Sequence, residues 1–521
     1  MLKILYVIPF LAVSYVFMKN AMHMFQQNRY EFYRYTKWLM SFKAFFLKEA
    51  VIYSILMIIS CFIPNVYFRH IAVFVVSIAM GIYLIEKESR NEYIKPLVYT
   101  ARVKRTYVLY YVFEILFVLA LLNIFTKNIG IVGILSIFGS YLVIYIAALV
   151  ILPVEKLVKK YYENDAVKIL DSNTDLIKIG ITGSYGKTTT KNIVTDILSD
   201  HFYTLMTPAS YNTPMGITRT IRSELKNIHE VFVCEMGADH VGDIKYLMKM
   251  VRPKYGIVSS IGPQHLNTFG NIGNIIHEKM QEIEMLPPDG VGIINLDNEY
   301  IANYPIHNIC KIVSVGVKNE KADLFARNIE YGRNGSSFDV TVNNEIYHFS
   351  TKLLGEHNIT NILCAIALAL ELGIDIKDIQ SSVLGLKQVE HRLELKKING
   401  FSFIDDAFNS NPSGCLSALN TLSIMPGKRV IVTPGLIDLG AQEKKTNYDF
   451  GKNMIGKCDY VILVGKNQTA PIYKGLQDYG FDMSNVLVVD KVKDAFDYIY
   501  HYCTPQDTIL LENDLPDAFS H

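Results

Sequence analysis

The chain has 521 residues, 51 Lys and Arg against 50 Asp and Glu, half of its residues hydrophobic, and a mean hydropathy of +0.20. That length exceeds one ordinary domain, and a net charge of +1 excludes the global basic field that nucleic-acid binding uses. The seven cysteines (Cys61, Cys234, Cys310, Cys364, Cys415, Cys458, Cys503) form neither CxxC pairs nor metal-ligand spacings, which marks them as reduced, structural thiols.

The apolar excess lies at the front. Five runs precede residue 155: Leu2–Met18, Ala50–Pro64, His70–Ile85, Tyr107–Phe125 and Ile129–Pro153. A bilayer needs about 20 residues per helix, so the second and third are short and read as two spans or as one buried hairpin. The first run lacks a normal basic leader and a small-residue cleavage site, and reads as a retained helix rather than a signal peptide. Loop 19–48 carries Lys19, Arg29, Arg34, Lys37, Lys43 and Lys48, and loop 86–106 carries Lys87, Arg90, Lys95, Arg102, Lys104 and Arg105. The opposite side offers Lys3, Arg69 and Lys127. Positive loops stay in the cytoplasm, so five spans place the N-terminus outside the cell membrane and everything after residue 153 inside. Residues 1–165 thus read as a multi-pass transmembrane helical domain. Glu114, within the fourth run, marks a polar pocket, a buried pair or an interfacial position.

From Asp175 onward buried strand-like runs alternate with helices. LIKIGIT (176–182), VFVCEMG (231–237), YGIVSSIG (255–262) and VGIINLD (291–297) are the strands, and 188–200 and 359–373 are helices, the second stopped by Gly373. Strands with helices between them predict a parallel sheet covered on both faces. A second set begins near residue 401 with FSFIDDA, KRVIVTPG, YVILVG, NVLVVD and DTILLE. The expected architecture is α/β, with a parallel-sheet ATPase-like domain at 166–392 and a smaller Rossmann-like domain at 393–521.

Between the first strand and its helix stands Gly183-Ser184-Tyr185-Gly186-Lys187-Thr188-Thr189. A glycine loop there lets backbone N–H groups converge on phosphates at a helix N-terminus, with Lys187 reaching the β- and γ-phosphates of ATP and the Thr188 hydroxyl a Mg²⁺. The spacing is GxxGKT, shorter than the general phosphate-loop motif, and the bland alternative is a glycine turn that caps a helix.

The short loop resembles the TGxxGKT loop of the Mur ligase family, and further motifs follow in that family's order. They are SYNTPMGI (210–217), CEMGADHVGDI (234–244), GPQHLNTFG (262–270), Lys279, NLDNE (295–299), GEHNITNILCAIALA (355–369), HRLE (391–394) and DDAFNSNP (405–412). The last is similar to the DDxxNxNP segment of the branch that adds D-alanyl-D-alanine to a murein stem tripeptide. The resemblance covers about residues 175–450. It implies an ADP-forming acid–amino-acid ligase of cell-wall or surface-polymer synthesis, in which ATP phosphorylates a carboxylate and an amine then displaces phosphate. Charge crowding makes up most of that barrier, so metals, lysines and positioning carry the catalysis.

The resemblance also implies roles. Gly183, Ser184, Tyr185, Gly186, Lys187, Thr188 and Thr189 hold the nucleotide phosphates. Thr188 and Glu235 hold one Mg²⁺, and His265 with a carbamylated Lys279 a second, so that Lys187, His265 and Lys279 carry catalysis. Asn295 and His357 line the adenine site, and Asn361, Arg392 and Asp405, with Asn409 and Asn411, complete the nucleotide site. The residues taken singly allow plainer readings: Glu235 as a buried salt bridge, His265 as a turn residue, Lys279 as a solvated helix lysine, Asn358 and Asn361 as helix N-terminal polar groups.

Two departures bear on the substrate. The loop follows the last apolar run by some 30 residues, where the family's soluble members carry a domain that grips a uridine nucleotide; this points to a carboxylate acceptor on a lipid-linked as well as a UDP-linked precursor. LLENDLPDAFS (510–520) places Glu512 and Asp514 where the family carries base, which suits an amine better than the carboxylate of an amino-acid or dipeptide donor. The rival readings are a poly-γ-glutamate-type synthase, a non-catalytic ATP-binding membrane scaffold and a transporter, the last opposed by the short loop. No nucleic-acid partner is expected.

Overall fold

The structure, a computed structural model, describes residues 5–41, 47–91, 93, 95–408, 411–437 and 439–513; Lys3, Lys43, Asn409 and Asp514 lie outside them. It divides into two units, one up to Lys160 and one from Tyr161 on.

The apolar front forms helices Val7–Gln27, Phe32–Met40, Leu47–Cys61, Val66–Ser89, Ala101–Ile124 and Ile129–Ser172. Two start on side-chain caps: Asn65 Oδ1 accepts from Tyr67 N–H at 2.9 Å, and Thr100 Oγ1 from Val103 N–H at 3.2 Å. Phe10, Val13, Phe17, Met18 and Ala21 of the first helix are buried in the bundle's core. The outward faces are apolar too, with Ile59, Phe68, Ile82, Val108, Leu116 and Leu142 exposed. Exposed apolar faces of this extent are compatible with a hydrocarbon surrounding.

Among the described residues three helices are long and apolar enough to cross a membrane: Val66–Ser89, Ala101–Ile124 and Ile129–Ser172. The five expected spans are therefore met in part. Leu47–Cys61 has only 15 described residues, and Val7–Gln27 interrupts its apolar run with Lys19, Asn20 and His23. Glu114 is wholly buried and accepts a hydrogen bond from Ser140 Oγ at 3.1 Å, so it is a bundle-interior group and not an interfacial one. Several basic residues expected in loops lie within helices and are paired, Lys19 with Glu88 at 2.7 Å, Arg105 with Glu155 at 2.7 Å, and Lys87 with Glu49.

In the second unit β1 (Ile177–Thr182), β2 (Thr204–Met206), β3 (Val231–Glu235), β4 (Tyr255–Val258), β5 (Val291–Asn295) and β6 (Lys311–Gly316) form the expected parallel sheet in the order β2-β3-β1-β4-β5-β6. The sheet continues through β7 (Leu324–Gly332), β8 (Gly335–Val342) and β9 (Glu345–Thr351), an antiparallel extension that the sequence reading did not anticipate. Its signal was local: Asn343 and Asn344, at φ of 51° and 66°, form a two-residue turn between alternating runs. The second sheet contains β10 (Glu394–Ile398), β11 (Phe401–Asp406), β12 (Arg429–Thr433), β13 (Tyr460–Val464), β14 (Val486–Val489) and β15 (Thr508–Glu512) in the order β10-β11-β15-β12-β13-β14, parallel except for the β10–β11 hairpin.

Helix Glu356–Glu371 is buried on nearly every side and packs against helix Lys187–Ser199, β5 and β6. Gly373, at φ 82°, ends it by turning Ile374 N–H back to Ala369 O at 3.0 Å. A Cβ at Gly373 would meet open space, so only the backbone conformation demands glycine. Gly373→Ala is expected to cost about 1 kcal/mol and to lower Tm by roughly 2–4 °C, with Gly373→Asn costing less. An alanine variant that melts with the wild type would show that the left-handed turn is not required.

Candidate active site

Strands β1, β3, β4 and β5 end together, with Ile181 opposite Glu235, Thr182 opposite Val258 and Val258 opposite Ile294. In parallel α/β sheets ligands bind at this carboxyl edge. The glycine loop springs from it. Gly183 and Gly186 take φ of 149° and 81°, conformations that favour glycine. The loop is pinned to the segment after β4: Ser184 N–H donates to Ser260 O at 2.6 Å, Ser184 Oγ to Gly262 O at 3.0 Å, and the Tyr185 hydroxyl to Pro263 O at 3.1 Å. Asn361 backs the loop, since a Cβ on Gly186 would lie 3.0 Å from its Oδ1, which accepts from Thr190 Oγ1 at 3.1 Å. Thr189 is buried and Thr188 partly exposed, so Thr188 presents the more accessible hydroxyl.

Lys187 donates to Gly183 O and Ser184 O at 2.7 and 2.9 Å. Burial, and after it the nearby Lys279, pull its ammonium down to about 7. Burial likewise pulls Lys279 down to about 8, against the charges of Glu278 and Asp243, and it lowers Arg392 against Asp406 and Glu235. Lys279 is 2% exposed, so it is not a solvated helix lysine. Three cations weakened by burial beside a glycine loop make an anion receptor.

Glu235, 1% exposed at the end of β3, accepts from Asn212 Nδ2 at 2.9 Å and lies 3.2 Å from Lys191 Nζ. Burial opposes its ionisation, but Lys191 and Lys187 outweigh it and hold its pKa low. Lys191 was not singled out in the sequence. Its signals were its place one turn after Lys187 on the same helix and the need of a buried carboxylate for a partner.

His265 adopts φ 54°, and its Nε2 lies 3.2 Å from Asp239 Oδ1. Asn295 Nδ2 donates to Ser259 O at 2.9 Å, tying the ends of β5 and β4. His357 is bonded to Ser417 Oγ at 2.7 Å, and burial, then Arg392, push its imidazole down to about 4. The Asp405 carboxylate is held by His391 at 2.8 Å and Lys396 at 2.9 Å. Its neighbour Asp406 interacts with Arg392, and burial raises its carboxyl to about 6. Successive strand residues face opposite sides, so the DD pair divides between two environments. Asn411 caps helix Pro412–Ser423, accepting from Gly414 N–H at 2.9 Å.

Thr188 and Glu235 offer the hard oxygen donors that Mg²⁺ prefers, and that ion normally completes its shell with water and phosphate. Among the described residues no three His, Cys, Asp or Glu side chains converge on one point, so an ion here would take its remaining ligands from those sources. The residues fit a magnesium–nucleotide.

Residues 181–369 match the Mur ligase middle domain, and residues 391–512 the Mur ligase glutamate ligase domain. The chain belongs to the Mur ligase family. The UDP-N-acetylmuramoyl-tripeptide–D-alanyl-D-alanine ligase of Escherichia coli is 29% identical over 295 residues, 56% of this chain and 65% of that protein. The enzyme of the same name from Bacillus subtilis is 30% identical over 292 residues, 55% of this chain and 62% of that protein. The chain thus spans slightly less than two thirds of the length of these relatives. Among solved structures, MurF from Acinetobacter baumannii superposes with a TM-score of 0.62 at 27% identity, covering 70% of this chain and 78% of that one. MurF of Thermotoga maritima in complex with ADP shares the fold, with a TM-score of 0.61 at 21% identity over 69% of this chain and 81% of that one.

Two predictions follow the geometry. Lys191→Met leaves Glu235 buried without its counter-charge and is expected to destabilise the ligase unit by about 3–5 kcal/mol, while the double variant Lys191→Met/Glu235→Gln recovers much of the loss. Equal unfolding midpoints for single and double variants would sink the pairing. Glu282 is fully buried, and burial raises its carboxyl to about 8 against the pull of Lys279. A folded pKa above the unfolded value of about 4.3 gives stability that is complete below that value and lost as pH rises through 8. Glu282→Gln should therefore flatten the fall in urea midpoint between about pH 5 and pH 8; an unchanged slope would refute it.

Proposed function

We propose that this chain is a membrane-anchored, ATP-dependent, ADP-forming ligase that joins an amine to a carboxylate of a cell-wall or surface-polymer precursor. The observation that carries this reading is the convergence of Lys187, Lys279 and Arg392 with the carboxylate Glu235 at a left-handed glycine loop. Such a site binds a polyphosphate and leaves one hard carboxylate for its metal. The family membership and the similarity to D-alanyl-D-alanine-adding ligases support the reaction class.

The acceptor carboxylate oxygen takes the γ-phosphoryl group as the β–γ bridging P–O bond breaks, giving ADP and an acyl phosphate. The amine then forms the C–N bond, the C–O bond to phosphate breaks, and the amine gives up a proton. Lys187 and Arg392 stabilise the charge on the transferring oxygens. Thr188 and Glu235 would hold one Mg²⁺, and His265 with carbamylated Lys279 a second. Bound there, the ions neutralise phosphate charge. Burial favours the uncharged amine of Lys279, the form that adds carbon dioxide. We assign Asn295 and His357 to the adenine site. We assign residues 1–165 to the membrane domain, 166–392 to the nucleotide domain and 393–521 to the donor-side domain.

The basic loops 19–48 and 86–106 support a five-span topology with the N-terminus outside and the ligase domains in the cytoplasm, where ATP is. The apolar unit in front of the loop supports an acceptor presented on a lipid carrier rather than a soluble UDP-linked one. At the donor side, Glu512 ends β15 buried and accepts from the Cys415 thiol at 2.8 Å; an acid at that strand end favours a donor that presents an amine.

Purified full-length protein is expected to release ADP and phosphate only when ATP, an acceptor and an amine are all present. Lipid-linked precursor should be preferred over its UDP-linked counterpart, and Lys187→Ala should lower turnover at least about 100-fold. The product's mass distinguishes one addition from polymerisation. Absence of amine-dependent phosphate release with every acceptor would favour the scaffold reading, and equal rates on soluble and lipid-linked acceptors would remove the lipid-carrier argument.

A further inference from the structure

We propose that Asp239 is the positioning residue that orients His265 as a metal ligand, an inference that rests on the two-ion reading above. Asp239 follows Glu235 by one short loop, and that loop is fixed from both sides. Asp239 N–H and His240 N–H donate to Asp243 Oδ2 at 3.0 and 2.9 Å. Gly242 N–H and Ile244 N–H donate to Glu278 at 2.7 and 2.6 Å. Glu278 adjoins Lys279 in helix Ile272–Glu284, and Asp243 is among the charges acting on Lys279. The loop that carries Asp239 is therefore held to the helix that carries Lys279.

The pairing is specific at the level of atoms. Asp239 Oδ1 lies 3.2 Å from His265 Nε2, with the side chains 21% and 24% exposed. A metal-bound imidazole commonly gives its other N–H to a carboxylate, which fixes both tautomer and ring orientation. With its proton on Nε2 and donated to Asp239, the His265 ring carries its lone pair on Nδ1. His265 also sits at φ 54°, a left-handed conformation for a residue with a Cβ. Such strain persists where the surroundings over-determine it and clusters at functional sites.

The test uses the full-length chain in detergent with Mn²⁺ and a non-hydrolysable ATP analogue, read by electron paramagnetic resonance. Wild type is expected to bind two Mn²⁺, one of them showing nitrogen echo modulation from an imidazole, and His265→Ala to lose that ion and its modulation. Asp239→Ala and Asp239→Ser should weaken the same ion about 10- to 100-fold and abolish the modulation, leaving the other ion and Tm unchanged. Asp239→Asn, whose amide oxygen still accepts the imidazole N–H, should keep most of both. Alanine and serine variants that bind both ions as wild type does, with the modulation intact, overturn the proposal. A wild type that binds a single Mn²⁺ overturns the two-ion reading itself, a result distinct from failure of Asp239 alone.

Discussion

The ion pair between Lys191 and Glu235 is the constraint on which the site depends. A carboxylate at the end of a central strand, shielded from water, is unfavourable unless a charge answers it. Lys191 answers it from the helix that begins at the glycine loop, and its ammonium also donates to Ala209 O at 2.5 Å. One interaction thus joins the loop's helix, the end of β3 and the segment after β2. It fixes an ionised carboxylate one strand away from the glycine loop, leaving Lys187 to serve the loop itself. The two lysines stand one turn apart yet do different work, since one pairs with a buried carboxylate and the other is bonded to the carbonyls of the glycine loop.

Around that pair the electrostatics are set by burial more than by contact. Burial makes Lys187, Lys279 and Arg392 all hold their protons less firmly than they would in water, and at Lys187 the neighbouring Lys279 and Arg392 add to the effect. A polyphosphate would add negative charge beside these cations, which is why buried cations gathered at a glycine loop read as a receptor for anions. Arg392, just ahead of β10, and its partner Asp406 at the end of β11 bring the second sheet's side of the ligase unit to these cations.

The two units differ in what their surfaces and interiors carry. In the first, apolar side chains cover the outside and polar groups such as Glu114 and Ser140 are turned inward to meet one another. In the second, buried strands lie under helices and charge is kept at the strand ends. Hydropathy separates these regimes at a glance, but it does not fix how many helices cross a bilayer. Lys19, Asn20 and His23 interrupt one apolar run, and a second run yields a short helix.

Much of this protein was legible in its sequence because the relevant signals are local. The glycine loop, the strand and helix on either side of it, five of the six strands of the second sheet and the stop at Gly373 are dictated by neighbours within a few residues, through backbone conformation and side-chain period. The antiparallel extension after β6 carried a local signal as well, the Asn343–Asn344 turn. What only the tertiary structure decided are pairings across long separations: Lys191 with Glu235, His265 with Asp239, and Asn361 behind Gly186. The same holds for the choice between Asp405 and Asp406, which a motif spelled DD leaves open and which alternation along β11 resolves. Local sequence sets which conformations a segment adopts; which charge finds which partner depends on sheet order and burial, and those exist only once the chain has folded.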